Sequence, residues 1–270
     1  MTEDDRMYEL PLARSVSFKD ITEELAKNLT DAGIVSVEVS PGGVTPVFGT
    51  DDDLALVDSR LEILKSRGAR VLSFHLPFGW DWDASTTTYE HHRYLLDRQL
   101  RIADIFLRME PERFVLHPCY WPIPESETGI RVRHIRENAE TIARVTGKDV
   151  AIENLKIGRI GGSSEELLKL GERLEHVGYC VDMNHFMRER AEDAIRKLGK
   201  HILTLHVSDY DFIDERHWLP GEGLNDWNAI LKALEDVGYQ GPFLYEVRAD
   251  YSCAAVAENY RRLFDTYNRA

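Results

Sequence analysis

Short apolar runs rich in β-branched residues recur along the whole chain, and a longer charged segment follows each of them. Strands that alternate with helices indicate parallel βαβ units joined by right-handed crossovers. The chain has eight runs that predict strands: ARSVSF near Val16, VSVEVS near Val37, RVLSFHL near Leu72, RFVLHP near Val115, DVAIEN near Ile152, GYCVDM near Val181, ILTLHVSD near Leu205 and PFLYEV near Leu244.

Apolar residues in the intervening segments fall at spacings of three and four, which predicts amphipathic helices, and several segments end in Gly as helix C-termini prefer. These segments include DITEELAKNLTDAG, LALVDSRLEILKSRGA, YLLDRQLRIADIFLRME, VRHIRENAETIARVTG, SEELLKLGERLEHVG, AEDAIRKLGK and WNAILKALEDVG. Eight βα units in about 250 residues match a (β/α)8 TIM barrel. We therefore predict an α/β fold, a single (β/α)8 barrel domain over residues 1–270.

An open doubly wound sheet is the alternative fold. No GxGxxG follows the first strand, so the dinucleotide-binding fingerprint is absent. No linker or shift in composition divides the chain. The segment GGSS at 161–164 predicts a loop that leads into a Ser-capped helix, and PGGVTPVFGTDDD after the second strand predicts a flexible loop that could cover a site.

Polar residues stand at the ends of six predicted strands, and the carboxyl ends of barrel strands all open onto one face. Each residue alone has a structural interpretation, for example a helix cap for Asp182 or a hydrogen-bonded histidine at His117. The strand-end residues are His75, His117, Glu153, Asp182, His206 and Glu246, and the following loops add His185, Asp209, Glu215, His217 and Glu222.

Ionised carboxylates gathered at a closed barrel mouth repel one another and lose solvation. A cation removes that conflict. Mixed carboxylate and imidazole ligands suit Mn²⁺, Co²⁺, Zn²⁺ or Mg²⁺ and leave positions for substrate or water. We therefore predict one divalent metal ion at this face.

The motifs FHLPFG, VLHP, AIEN, CVDMNH, LHVSD, RHWLPGEG and LYEV occur in this order between Phe74 and Val247. Together they resemble the xylose isomerase-like superfamily of TIM barrels. That superfamily contains sugar and sugar-phosphate isomerases and epimerases, inosose dehydratases and endonuclease-IV-type repair enzymes. The resemblance implies that the metal ligands are Glu153, Asp182, His206 and Glu246.

In the ketose epimerase branch, two metal-bound glutamates flank the reacting carbon, which implies that Glu153 and Glu246 are catalytic. One would take a proton and the other would return one. A proton next to a carbonyl is weakly acidic, so a metal must stabilise the developing enediolate while a positioned carboxylate receives the proton. His185 would contact the substrate oxygen that gains charge.

Two positions depart from the epimerase pattern. Six residues after Glu153, where typical ketose 3-epimerases carry a substrate-binding Glu, this chain has Arg159, and His217 stands where some epimerases place an Arg. Arg159 suits a phosphorylated or carboxylated substrate because its planar fork pairs bidentately with such groups. The alternative, which the sequence supports equally, is that Arg159 is a solvated charge on a loop.

The substrate is expected to be a small sugar or sugar phosphate. Aromatic residues after the third and fourth strands could stack on a sugar ring, or instead pack a lid or a homo-oligomer contact. The expected substrate-binding residues are His75, His117, His185, His217, Arg159, Trp80 and Trp121.

Composition narrows the classes of partner. The formal net charge of −14 disfavours nonspecific binding to nucleic acid or an anionic membrane, and no run is long enough to span a bilayer. Three unevenly spaced cysteines without a CxxC pair, and an acidic, polar N-terminus, predict a protein of the reducing cytoplasm.

Two rival functions stay open. Endonuclease-IV-type enzymes use a wider ligand set around three zinc ions. The residues that fall where that set would fall are His75, His117, Glu153, Asp182, His185, His206, His217 and Glu246, and Glu215 stands where the pattern has an Asp. Such an enzyme would cleave abasic DNA, yet 33 basic residues against 47 acidic ones leave no evident basic stripe. The other rival is a non-catalytic barrel that binds a small molecule. The sequence favours sugar isomerisation or epimerisation.

Overall fold

All eight predicted runs form β-strands in the computed structural model, which describes residues 7–41, 51–156, 158–185 and 189–270. Each strand is parallel to its neighbours, and the order around the sheet is β7-β6-β5-β4-β3-β2-β1-β8. The strands are β1 Leu12–Ser17, β2 Ser36–Ser40, β3 Arg70–His75, β4 Arg113–Leu116, β5 Asp149–Glu153, β6 Val177–Asp182, β7 Ile202–His206 and β8 Phe243–Tyr245.

The sheet closes between its two end strands. Val207 forms a parallel bridge with Tyr245, the amide of Val207 donates to the carbonyl of Leu244 at 2.7 Å, and the amide of Glu246 donates back to Val207 at 3.1 Å. The predicted (β/α)8 barrel is therefore confirmed. That the whole of residues 1–270 is a single domain stays a prediction.

In the described parts of the chain, eight α-helices surround the barrel, one after each strand. The seven segments predicted from the sequence all contain a helix, and α8 is an additional one. The helices are α1 Glu23–Asp31, α2 Asp51–Ser66, α3 Tyr89–Phe106, α4 Thr128–Thr146, α5 Ser164–Gly171, α6 Ala191–Leu198, α7 Trp227–Asp236 and α8 Cys253–Tyr267.

Local sequence explains where several helices begin. Side chains of Thr22, Ser163, Asp226 and Ser252 each accept the amide of the residue three positions on, which satisfies a first-turn donor. The predicted Ser cap in GGSS is therefore confirmed at Ser163. Of the predicted loop PGGVTPVFGTDDD, residues 51–53 belong to α2, and residues 42–50 lie outside the described residues.

Strand side chains alternate between two buried layers. Val37, Val39 and Phe74 belong to the large core that packs against the helices. The alternate positions face the barrel interior, which is filled by two small clusters of buried residues: Ala13, Leu72 and Leu244, and Val115, Ala151 and Cys180. The strand ends above this packed interior carry the polar residues.

Candidate metal centre at the strand ends

Four side chains from consecutive strands meet at the carboxyl face. Glu153 is the last residue of β5, Asp182 of β6 and His206 of β7, and Glu246 directly follows β8. One ligand atom from each of the four lies within 4.8 Å of the others. Glu153, Asp182 and His206 are at most 1% exposed, and Glu246 is half-buried at the rim. The structure thus brings together the four residues predicted as ligands.

The Nδ1 atom of His206 points into this group of acids. It lies 3.1 Å from Oε2 of Glu246, 3.5 Å from Oε1 of Glu153 and 3.9 Å from Oδ2 of Asp182. Three carboxylates around one imidazole nitrogen match the mixed oxygen and nitrogen donor set that transition metals and magnesium accept.

Asp182 uses its two oxygens differently. Oδ1 accepts the amide of Asn184 at 2.6 Å, as a capping acid does, and Asn154 brackets the Asp182 backbone with two further hydrogen bonds. Oδ2 has no hydrogen-bond partner among the described residues, and neither ring nitrogen of His206 makes a well-aligned hydrogen bond. Buried polar atoms without partners are costly, so these residues fit a cation. The capping interpretation explains the contact of Oδ1 but not the unpartnered Oδ2.

Burial and charge crowding set the protonation of the four residues. Burial, together with the charges of Glu246 and Glu153, raises the pKa of Asp182 to about 7. Burial alone would also raise the pKa of Glu246, but the imidazole of His206 lowers it to about 2. Cys180 and the carboxylates of Glu246, Glu38 and Glu153 in turn raise the pKa of His206 well above its ordinary value, against the effect of burial.

Two further histidines contact the other oxygen of Glu153. Nε2 of His75 and Nε2 of His117 each lie 3.1 Å from Oε2 of Glu153, and the three residues form a second group of ligand atoms within 4.8 Å. Nδ1 of His75 lies 2.8 Å from the carbonyl of Leu76 and must donate to it, because a carbonyl only accepts. A proton or a cation must therefore lie between Nε2 of His75 and Glu153.

His185 sits between two acids with both nitrogens engaged. Nδ1 donates to the carbonyl of Asn154 at 2.8 Å, and Nε2 lies 3.0 Å from Oε1 of Glu215. Although burial would lower its pKa, the carboxylates of Asp182 and Glu215 raise the pKa of His185 to about 10. Lys156 contacts the same oxygen of Glu215 at 3.1 Å. Glu215 is thus paired with two cations of the chain itself.

The loop after β7 is held in place by Asp209. Its two oxygens accept the amides of Gly221, Gly223 and Asn225 and the indole N–H of Trp227, at 2.8–3.2 Å. A Cβ on Gly223 would lie 2.4 Å from the carbonyl of Tyr210, so only glycine fits there. Asp209 is a structural residue, and it fixes the loop that carries His217.

His217 adopts a left-handed backbone conformation, with φ of 49°, and its Nδ1 donates to the carbonyl of Glu246 at 3.1 Å. This contact orients the rim beside Glu246. His217 lines a cavity of about 250 Å³ above the four candidate ligands. The cavity is also lined by Phe78, His117, Tyr120, Glu153, Lys156, Arg159, Asp182, His185, Glu215 and Glu246.

The other predicted substrate-binding residues lie at different depths. His75 is 2% exposed and sits behind Glu153, whereas Trp80 and Trp121 are 70% and 55% exposed and lie outside the cavity lining. Phe78 does line the cavity and stacks on His117 with ring centroids 4.4 Å apart. The substrate contacts of all these residues stay predictions.

Comparison with known proteins identifies the family of this chain. A family model described as xylose isomerase-like TIM barrel matches residues 26–268. The chain belongs to this family. A D-psicose 3-epimerase of Enterocloster bolteae is 29% identical over 141 residues, which is 47% of this chain and 44% of that protein. An uncharacterised protein of Sinorhizobium fredii is 23% identical over 167 residues, 59% of this chain and 48% of that protein.

The chain spans about half the length of the curated relatives it matches.

Solved structures agree with the fold. A D-tagatose 3-epimerase-like protein superposes with a TM-score of 0.80 at 17% identity, covering 96% of this chain and 99% of that one. A D-psicose 3-epimerase of Clostridium cellulolyticum H10, crystallised with D-tagatose, gives 0.73 at 14% identity, with 96% of each chain covered.

Some residues of this xylose isomerase-like site escape sequence reasoning. Glu38 on β2 is fully buried, and its Oε1 lies 2.9 Å from Nε2 of His206. The thiol of Cys180 also lies within the group formed with Glu153 and His206. The signal for Glu38 is an acid inside an otherwise apolar run, VSVEVS, away from the strand end.

No helix in the part of the chain that the structure describes is both long enough and apolar enough to cross a membrane.

Proposed function

We propose that this protein is a divalent-metal-dependent sugar or sugar-phosphate isomerase or epimerase, which moves a proton at a carbon next to a carbonyl. Printed names of relatives support the sugar class, since two curated relatives are D-psicose 3-epimerases. The observation that carries the proposal is the convergence of Glu153, Asp182, His206 and Glu246, with a buried Asp182 oxygen left without a partner, beneath an open cavity.

Glu153, Asp182, His206 and Glu246 would hold the ion. A bound divalent cation would supply Lewis acidity, which stabilises the negative charge that develops beside a carbonyl when a proton leaves. His206 lies outside the cavity lining, and Asp182 lines it with one oxygen already bound to the amide of Asn184, so the role of both would be to bind the ion. Glu153 and Glu246 line the cavity as well, which places their carboxylates within reach of a substrate.

The two glutamates act as the proton acceptor and donor in this proposal. Their pKa values both lie below the ordinary value, because His206 and, for Glu153, His117 offset the effect of burial. Each carboxylate is therefore ionised at neutral pH, which is the form that can accept a proton. A carboxylate that accepts a proton on one face of the carbon, and another that returns one on the opposite face, invert its configuration.

Positive charge at the rim supports an anionic group on the substrate. The guanidinium of Arg159 lines the cavity, lies 5.3 Å from the ring centroid of Tyr120, and forms no ion pair among the described residues. Lys156, in contrast, is paired with Asp214 and Glu215. Arg159 is the cation available to a phosphate or carboxylate of the substrate.

The test is exchange of substrate hydrogen with solvent. Chelator-stripped protein, reloaded with Mn²⁺ or Mg²⁺, is incubated in D₂O with D-psicose, D-tagatose, D-fructose and their phosphates, and NMR follows the C–H next to the carbonyl. We expect deuterium to enter at that carbon only in the metal-loaded protein. Absence of exchange with every ketose and ketose phosphate would contradict the proposal.

The second candidate is the zinc phosphodiesterase, because His75, His117 and Glu153 form a further group of ligand atoms. A trinuclear centre also needs a third group. Among the described residues, Glu215 is paired with Lys156 and His185, and Nδ1 of His217 contacts a carbonyl. Lys156 already neutralises Glu215, which is the acid that a third zinc ion would need as a ligand. This pairing favours the sugar enzyme.

A further inference from the structure

Glu38 is a buried acid that the proposed proton transfer does not use. It lies in the middle of β2, and its neighbours Val37 and Val39 face the helices, so Glu38 faces the barrel interior. It is 0% exposed, in the same interior as the cluster of Ala13, Leu72 and Leu244. A carboxylate there is retained only with polar partners.

Two partners face the Glu38 carboxylate. The hydroxyl of Ser73 donates to Oε2 at 2.6 Å, and Nε2 of His206 lies 2.9 Å from Oε1. The second contact is outside the angular range of a well-aligned hydrogen bond. No Lys or Arg among the described residues pairs with Glu38, so Ser73 holds one oxygen and directs the other towards the imidazole.

The opposite nitrogen of the same ring faces the candidate ligands. Nδ1 of His206 lies 3.1 Å from Glu246, while Nε2 faces Glu38. An imidazole that binds a cation through Nδ1 must carry its proton on Nε2, and a carboxylate beside Nε2 favours that tautomer. The thiol of Cys180 also lies near the ring but is a weak acceptor, and the ring of His75 stacks on it with centroids 5.8 Å apart.

We propose that Glu38 is a positioning residue, which fixes the tautomer and orientation of His206 so that Nδ1 presents its lone pair to the ion. The inference rests on the proposed metal-dependent function. It adds to the site a residue on β2, a strand that contributes none of the four candidate ligands. Ser73 acts one step further away, through the oxygen of Glu38 that it holds.

Metal affinity and tautomer test this role directly. The dissociation constant for Zn²⁺ or Mn²⁺ is measured by calorimetry on the full, metal-free chain, for wild type, Glu38→Gln and Glu38→Leu. Losses of 10- to 100-fold are typical when the outer partner of a metal-bound histidine is removed. We expect the dissociation constant to rise by about that factor in Glu38→Leu and by less in Glu38→Gln, whose amide oxygen can still accept.

Val39→Ala is the matched control, because it weakens the packing of the same strand on the other face. ¹⁵N NMR of the Zn²⁺-loaded protein, with the His206 signal assigned by its absence in His206→Ala, reports the tautomer. We expect the proton on Nε2 in wild type and Val39→Ala, and a changed Nε2 signal in Glu38→Gln.

The outcomes separate the two claims. Wild-type protein that binds no divalent ion would contradict the proposed function, and this inference with it. Wild-type binding together with an affinity within twofold for Glu38→Gln and Glu38→Leu would overturn the positioning role alone. An equal loss of affinity in Val39→Ala would also overturn it, since that loss would reflect the strand and not the carboxylate.

Discussion

Two groups of buried histidines in this barrel have opposite surroundings. His92 on α3 and His134 on α4 stack with ring centroids 3.8 Å apart and planes 4° apart, between two helices and away from the strand ends. Their partners are neutral: Nε2 of His92 contacts the amide oxygen of Asn138, and Nδ1 of His134 contacts the carbonyl of Thr86. We refer to these two residues as the helix pair.

The strand-end histidines, His75, His117 and His206, face carboxylates instead. Burial lowers the pKa of His92, and it also lowers the pKa of the partly exposed His117, which faces the single carboxylate of Glu153. Neighbouring acidic groups instead raise the pKa values of His75 and His206 against the same effect of burial. The comparison teaches that burial alone does not make a histidine a candidate ligand. Several carboxylates converging on its ring nitrogen do, because their charge needs a cation.

The largest expected effect is on turnover. Glu246→Gln keeps an oxygen for the ion but removes the proton acceptor, so we expect the exchange rate to fall by roughly 10²–10⁴-fold. At saturating metal, the metal content and the circular dichroism spectrum should not change. Glu112→Gln, on the opposite face before β4, is the control and should retain full exchange. Retained exchange in a fully loaded Glu246→Gln would remove Glu246 as acceptor or donor.

Metal affinity should separate the two histidine groups. His206→Ala removes a candidate ligand, and we expect the affinity for Mn²⁺ to drop by about 100-fold or more, beyond the effect of losing only an outer partner. His92→Ala, in the helix pair, should keep the wild-type affinity although it loses stability. Calorimetry on both variants measures the affinity. An unchanged affinity in His206→Ala would show that His206 is not a metal ligand.

The pH dependence of metal binding should follow Asp182. Its pKa is raised to about 7, so a proton competes with the ion below that pH. We expect the dissociation constant to rise more steeply below pH 7 than above it, by up to about a further tenfold for each unit of pH, because the proton on His206 competes with the ion on both sides of pH 7. Asp182→Asn should bind more weakly with a flatter profile. A wild-type affinity that is constant from pH 5.5 to 8 would contradict the prediction.

The smallest effect concerns the helix pair. Because folding lowers the pKa of His92 below its unfolded value, the unfolded chain binds the proton more readily, and stability falls as pH drops through the ordinary histidine range. We expect the Tm of wild type to decrease between pH 7.5 and 5.5 by a few degrees more than that of His92→Gln. Equal slopes in thermal melts would show that His92 does not contribute.

Sequence alone is most informative where many residues share one pattern. All eight strands were predictable, because each buried strand is an apolar run bounded by charged segments. The convergence of Glu153, Asp182, His206 and Glu246 followed from strand order, since the ends of parallel barrel strands share one face. These features depend on topology and not on the direction of any single side chain.

Side-chain direction was the information that the sequence lacked. Trp80 and Trp121 follow the expected strands, yet they are largely exposed, while Phe78 from the same loop as Trp80 lines the cavity. Glu38 escaped notice because an acid in mid-strand resembles a solvent-facing position until the strand is known to be buried on both faces. Lys156 likewise gains meaning only from its contact with Glu215 across two loops.

The central claim is that the strand-end cluster holds one divalent ion, and metal content per chain tests it most directly. Elemental analysis is made on protein purified without added metal or chelator, and again after dialysis against Mn²⁺, Co²⁺, Zn²⁺ and Mg²⁺. We predict about one ion per chain, lost in His206→Ala and kept in His92→Ala. Two or three zinc ions per chain would point to the phosphodiesterase, and a chain that stays metal-free with all four ions would contradict the account.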